Sequence, residues 1–236
     1  MLKAITSILT SFLVLINFIA HLQGLSSQFS PPSVSKIIFL SPSKFKSFSD
    51  GESQPQDIVK KAKEKGYKYI AISDHNTLEA YLKTEILKDE MVIPAIEFDC
   101  WCNSVFYHLL AYGIDVNSPA LKPFLATTKK QTEKDIIRLF SFNRHPKKLI
   151  PAIHKAGGIA VLAHPACSTC LNLDSFVKKM KSYGLDGLEL YYPYSIRLSK
   201  LFRCASNEQI EKLADKYDLI KTGGTDFHGK IVGACL

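Results

Sequence analysis

Apolar and polar positions change their spacing several times along the chain. In "SQPQDIVKKAKEKG" the residues Ile58, Val59 and Ala62 make one helical face, and Gly66 supplies a C-cap. Tyr67 to Ser73 then reads as a strand, β-branched or aromatic at Tyr67, Tyr69, Ile70 and Ile72. "MVIPAIEFD" is apolar enough for a buried strand with Glu97 near its end, and "VFYHLLAYG" is a further strand with His108 in its middle. Helical segments are predicted near Thr132–Phe140 and before Gly157-Gly158, the second one started or kinked by Pro151. "GGIAVLAHP" is a nearly unbroken apolar run ending in His164, as parallel strands buried on both faces produce. Helix "LDSFVKKMKSYG", strand "LDGLELYY" and helix "SNEQIEKLADKYD" follow, the last with Ser206 and Gln209 in capping-box spacing. The strand "LIKTGGTDFHG" ends in Asp226 and His228, and a short strand-like piece, "KIIFL", lies upstream in a Ser-, Lys- and Pro-rich stretch. Helices and strands in alternation predict an α/β fold with a parallel sheet or barrel.

The first residues break this pattern. Ala4 to Ala20 is apolar behind a single charge, Lys3, in the order of a signal peptide and nearly long enough to span a bilayer. The expected organisation is a signal peptide or membrane anchor over 1–27 and one globular domain over 28–236. That segment implies export or membrane attachment; without it the protein is expected in the cytoplasm or a plastid.

The 236 residues are 46% hydrophobic and 22% charged, proportions of a globular chain and not a disordered one. The net charge of +8 suits an anionic substrate, a nucleic acid or an acidic surface, and equally a lysine-rich exterior. Of six cysteines, Cys167 and Cys170 form the one CxxC, which argues against a zinc ribbon. Cys100 and Cys102 share a face of an extended strand, a poor arrangement for a bridge between them.

The chemistry lies at the strand ends. His75, Glu97, His164, Asp226 and His228 all fall at or near the C-terminal end of a predicted strand, where sites collect in parallel α/β folds. Imidazoles and carboxylates together are ligands for Zn, Mn or Fe, and several of each favour more than one ion. Asp74 beside His75 is placed to orient that ring. Nucleophile-elbow, phosphate-loop and dinucleotide-binding patterns are missing, which leaves a hydrolytic metal centre as the reading of the residues.

The stretches "FSDG", "IAISDHNT", "IPAIEF", "HLLAYGID", "GGIAVLAHP", "GLDGLELYYPY" and "TGGTDFHG" occur in the order found in the PHP (polymerase and histidinol phosphatase) family of metal-dependent phosphoesterases. Together they cover nearly all of Ser49 to Gly229, and the short form resembles PHP proteins of cyanobacteria and plastids. The resemblance implies a distorted (β/α)7 barrel that hydrolyses phosphate esters such as nucleotides or oligonucleotide ends, with a metal-activated water as nucleophile. It places metal ligands at Asp50, His75, Glu97, His108, His164, Asp226 and His228. The expected partner is a phosphate-containing small molecule or nucleic-acid end, with no stable protein partner and with possible membrane attachment through residues 4–20. The chain departs from the family where an H-x-H pair opens the motif series: Ser43 and Phe45 stand there, in "SPSKFK". One or two divalent ions (Mn, Fe or Zn) are therefore expected instead of a full cluster. Two readings follow, a phosphoesterase with a reduced cluster or a PHP-derived pseudoenzyme that binds a phosphorylated ligand or metal without turnover. A third attributes the departure to a frameshift or misjudged start upstream of Phe48.

Overall fold

A computed structural model describes residues 37–40, 54–102, 105–127, 144–168, 170, 172–192 and 205–224. The expected leader, the helix near Thr132–Phe140, and Ser43, Phe45, Asp50, Asp226 and His228 lie outside them. Among the described residues no helix is long and apolar enough to cross a membrane.

Among the described residues seven strands form one sheet in sequence order: β1 (Ile37–Leu40), β2 (Tyr69–Ile72), β3 (Val92–Cys102), β4 (Val105–Tyr112), β5 (Ile159–Leu162), β6 (Gly187–Tyr191) and β7 (Ile220–Gly223). Helices α1 (Pro55–Glu64), α2 (Glu79–Leu82), α3 (Pro146–Lys155), α4 (Leu173–Ser182) and α5 (Asn207–Lys216) connect or follow them. β1 to β3 and β5 to β7 pair in parallel, as the alternation of elements predicts. β4 is the exception and runs antiparallel to both of its neighbours. Only residues 103 and 104 separate β3 from β4, too few for a crossover helix, so the chain must turn back on itself. The sheet is thus mixed, and among the described residues no ladder joins its edge strands β1 and β7 into a closed barrel.

Both faces of the sheet are buried, which is why its strands read as apolar runs. One face, with Ile70, Ile72, Phe98, Leu109, Ala111 and Leu162, packs under the helices. The alternate positions Ala71, Ile93, Ala95, Leu110, Tyr112, Ile159, Val161 and Ala163 form a smaller cluster on the inner, concave face. The helices begin as the sequence predicts at one end: Ser206 and Gln209 make the reciprocal capping box of α5. α3 starts at Pro146, where a missing N–H costs nothing, and carries Pro151 inside it. Cys100 and Cys102 lie together on the helix-facing side, and no disulfide joins Cys100, Cys102, Cys167 or Cys170 to another of the four.

Pro94 sits within β3 opposite Ile72, where a residue without an N–H breaks the ladder. Buried Tyr81, from α2, mends it. Its hydroxyl accepts the N–H groups of Ile72 (3.1 Å) and Ala95 (3.1 Å) and donates to the Ile72 carbonyl. Tyr81→Phe strands these buried groups and is expected to destabilise the fold by ~2 kcal/mol or more, read as a lower denaturant midpoint at unchanged slope. A midpoint within error of the parent would show that the ladder closes without the hydroxyl.

Candidate metal centre

The inner face changes character along its length. Ala95, Glu97 and Asp99 follow one another at a spacing of two on β3, so the apolar floor passes directly into two carboxylates. Both are nearly inaccessible, Glu97 at 3% and Asp99 at 6% of full exposure. β4 places His108 directly opposite Asp99, with Leu110 and Tyr112 below it on the same face. Because β4 runs antiparallel, its N-terminal half lies at the C-terminal end of the parallel strands. That resolves the oddity of a candidate ligand inside a strand.

His75 arrives from β2. After Ile72 the chain keeps running beside β3: His75 makes a parallel bridge with Glu97, Glu97 N–H donates to the Asp74 carbonyl (3.2 Å), and Asn76 N–H donates to the Glu97 carbonyl (2.8 Å). Asn76 then takes a left-handed conformation, φ 58°, and turns its amide back. Its Nδ2 donates to Asp99 Oδ2 (2.5 Å) and its Oδ1 accepts the Asp99 N–H (3.0 Å). His164 follows β5 with φ 26°, unusual for a residue with a Cβ. Its N–H donates to Glu189 Oε2 (2.8 Å), and Glu189 belongs to the inner face of β6.

The side chains meet in two groups that could hold an ion, Glu97/His108/His164 and His75/Asp99/His108. In the first, Glu97 Oε1 lies 2.8 Å from His108 Nδ1 and 3.5 Å from His164 Nε2, and the two nitrogens are 3.0 Å apart. Donors bound at about 2.0–2.1 Å around one divalent ion stand about 2.9–3.4 Å from each other in octahedral or tetrahedral geometry. The triangle fits that spacing, and its two nitrogens and one carboxylate suit Zn, Mn or Fe. In the second group, Asp99 Oδ1 is 3.0 Å from His75 Nδ1 and 3.1 Å from His108 Nε2. The imidazoles stack edge to face, His108 against His75 (centroids 5.0 Å) and against His164 (4.9 Å), and Phe106 covers His108 from outside (5.1 Å).

Packing this charge out of water shifts its acidity. Burial alone presses the His75 pKa down, but the Glu97 and Asp99 carboxylates outweigh it and raise it to about 9. His108 is driven the same way, well above the ordinary imidazole value, by Glu97 and Asp99 against its own burial. Burial pushes the carboxyls of Glu97 and Asp99 up, and the neighbouring imidazoles override it and hold both below the usual range.

Of the seven residues singled out as ligands from the sequence, the structure brings His75, Glu97, His108 and His164 together; Asp50, Asp226 and His228 lie outside the described residues. It adds three that sequence reasoning passed over: Asp99, Asn76 and Glu189. The sequence signal for Asp99 is the pair of acids at a spacing of two in "EFD", which one strand face must carry together. The structure also corrects the expectation for Asp74: the carboxylate on His75 Nδ1 is Asp99, 24 positions further on, and Asp74 contributes its carbonyl to the strand ladder.

The fold has counterparts. The PHP domain family model matches residues 44–214, and the chain belongs to that family. An uncharacterized protein of Methanocaldococcus jannaschii is 28% identical, over 72% of this chain and 83% of its own. The phosphoribosyl 1,2-cyclic phosphate 1,2-diphosphodiesterase of Eggerthella lenta is 22% identical, over 77% of this chain and 91% of its own. Two solved structures share the fold. An amidohydrolase from Chromobacterium violaceum superposes with a TM-score of 0.64 at 16% identity, covering 85% of this chain and 89% of its own. A protein of Bifidobacterium adolescentis assigned to the metal-dependent phosphoesterases gives 0.62 at 20% identity, covering 88% and 93%. The family match begins at residue 44, so Phe45 falls inside it, upstream of "FSDG".

Proposed function

We propose that the chain is a metal-dependent phosphoesterase that hydrolyses a phosphate ester, such as a nucleotide or an oligonucleotide end, with a reduced set of metal ligands. The observation that carries this reading is the convergence of Glu97 Oε1, His108 Nδ1 and His164 Nε2 at metal-donor spacing. The relative from Eggerthella lenta is named for cleavage of a phosphodiester, which supports the reaction class. Divalent ions bound at such a centre supply a water of lowered pKa and a Lewis acid for the phosphate oxygens.

The chain's own residues do the rest. Glu97 supplies one negative charge and His108 and His164 supply neutral nitrogens, so the three would neutralise half the charge of a dication held there. Glu189 fixes the His164 backbone in its left-handed turn and thereby aims the ring. The excess of lysine and arginine, +8 overall, favours an anionic substrate. Ser43 and Phe45 in place of the family's H-x-H pair remove two imidazoles, so the ion that such a pair would hold is weakly bound, and the closed (β/α)7 barrel of the family is the expected frame.

The test is hydrolysis of chromogenic phosphate mono- and diesters by the full chain, stripped with chelator and then loaded with Mn, Fe or Zn. Turnover is expected to vanish on stripping and to return on loading. Protein that carries one or more ions and cleaves no ester would favour a pseudoenzyme that binds its ligand without turnover.

A further inference from the structure

His108 faces two ways. Its Nδ1 points at Glu97 Oε1 (2.8 Å) and His164 Nε2 (3.0 Å), and its Nε2 points at Asp99 Oδ1 (3.1 Å). A neutral imidazole has one nitrogen with a free lone pair and one that carries a proton. It therefore cannot serve as a ligand to both groups at once. One of them is the metal site, and the other holds the ring's N–H.

The surroundings of Asp99 decide which. Its Oδ2 and its backbone N–H are gripped by the two ends of the Asn76 amide, at 2.5 and 3.0 Å, and Asn76 is itself wholly buried. That grip turns Oδ1 toward His75 Nδ1 and His108 Nε2, at 3.0 and 3.1 Å, distances of N–H···O hydrogen bonds. On the other side a carboxylate oxygen and an imidazole nitrogen close with His108 Nδ1 into a triangle at the spacing of donors around one cation. We infer that Asp99 is a positioning residue and not a ligand. One oxygen accepts Nε2–H of His108 and Nδ1–H of His75, which commits His108 Nδ1 to the Glu97/His164 ion and places the proton of His75 on Nδ1. Asn76 holds Asp99 in that role.

A carboxylate behind a ligating histidine fixes its tautomer and raises its donor strength, and loss of such a partner typically costs about 10- to 100-fold in metal affinity. Here a single carboxylate does this for two histidines, so both rings lose their orientation together when it is removed. The inference rests on the metal-dependent reading of this centre.

The experiment is long-range proton–nitrogen correlation NMR on the full chain, labelled with 15N-histidine and loaded with zinc, with zinc affinity measured by chelator competition. In the parent protein His108 is expected to bind zinc through Nδ1 and to carry its proton on Nε2, and His75 to carry its proton on Nδ1. Asp99→Asn is expected to retain the far-UV spectrum, to lose these protected N–H signals and to bind zinc about 10- to 100-fold more weakly. Asn76→Ala, which leaves every ring and carboxylate in place, is expected to shift affinity in the same direction. Zinc on Nε2 of His108, or unchanged affinity in either variant, overturns the inference and leaves the metal-dependent reading standing. A parent protein that takes up no zinc overturns both.

Discussion

Glu97→Gln is expected to strip the bound metal and to lower kcat/KM for phosphate esters on the order of 10³-fold. The substitution preserves shape and removes the one charge shared by His108 Nδ1 and His164 Nε2. Metal-assisted stabilisation of a phosphoryl transition state amounts to several kcal/mol, and about 1.4 kcal/mol is a factor of ten. The main chain at this position is unaffected, because its links to Asp74 and Asn76 run through backbone atoms. Loss of activity should therefore come without loss of fold. Elemental analysis and steady-state kinetics on the same preparation check it, and normal metal content with turnover within a few-fold of the parent would remove Glu97 from the centre.

The second large effect is on pH. His75 has a pKa raised from 6.5 to about 9 by Glu97 and Asp99, which overcome its burial. In the metal-free protein that shift stabilises the fold by about 3 kcal/mol, fully below about pH 6.5 and lost as pH rises through 9. The lowered carboxyls of Glu97 and Asp99 act oppositely, present above about pH 4 and lost as they protonate in acid. Metal-free protein is thus most stable at about pH 5–6.5. Ion binding needs the imidazoles neutral, so affinity climbs over the interval in which the metal-free fold weakens. The gain in Tm from saturating Mn or Zn should grow steadily from pH 6 to 9. A gain that stays flat across that range would mean that His75 and His108 do not exchange protons for metal.

Most of the sheet was legible because buried strands declare themselves as short apolar runs between helical periods. Strand direction was not, since an apolar run reads the same whether it lies parallel or antiparallel to its neighbour. This concealed why His108 belongs to the centre, and it concealed Asp99 with it. The alternation Glu97-Phe98-Asp99-Cys100 does set both acids on one face, but it follows the unbroken apolar run Val92–Ile96, which reads as a strand buried on both faces with no polar side to extend. Asn76 has the left-handed backbone of a turn residue, and its amide has a second use that no local pattern shows. His75 and His164 were legible because each falls where a strand stops, whereas Glu97, expected near the end of its strand, stands in the middle of β3 because the strand runs on to Cys102.

The tight β3–β4 connection also orders the assembly of the centre in time. Glu97, Asp99 and His108 stand on a hairpin whose strands are separated by residues 103 and 104, so their meeting costs little loop entropy. His164 reaches His108 only across 56 positions of chain, and His75 reaches Asp99 across 24. The hairpin can therefore carry Glu97 and His108, two of the four ligand candidates among the described residues, as a preformed unit early in folding, and His75 and His164 close around it once the slower parallel strands dock.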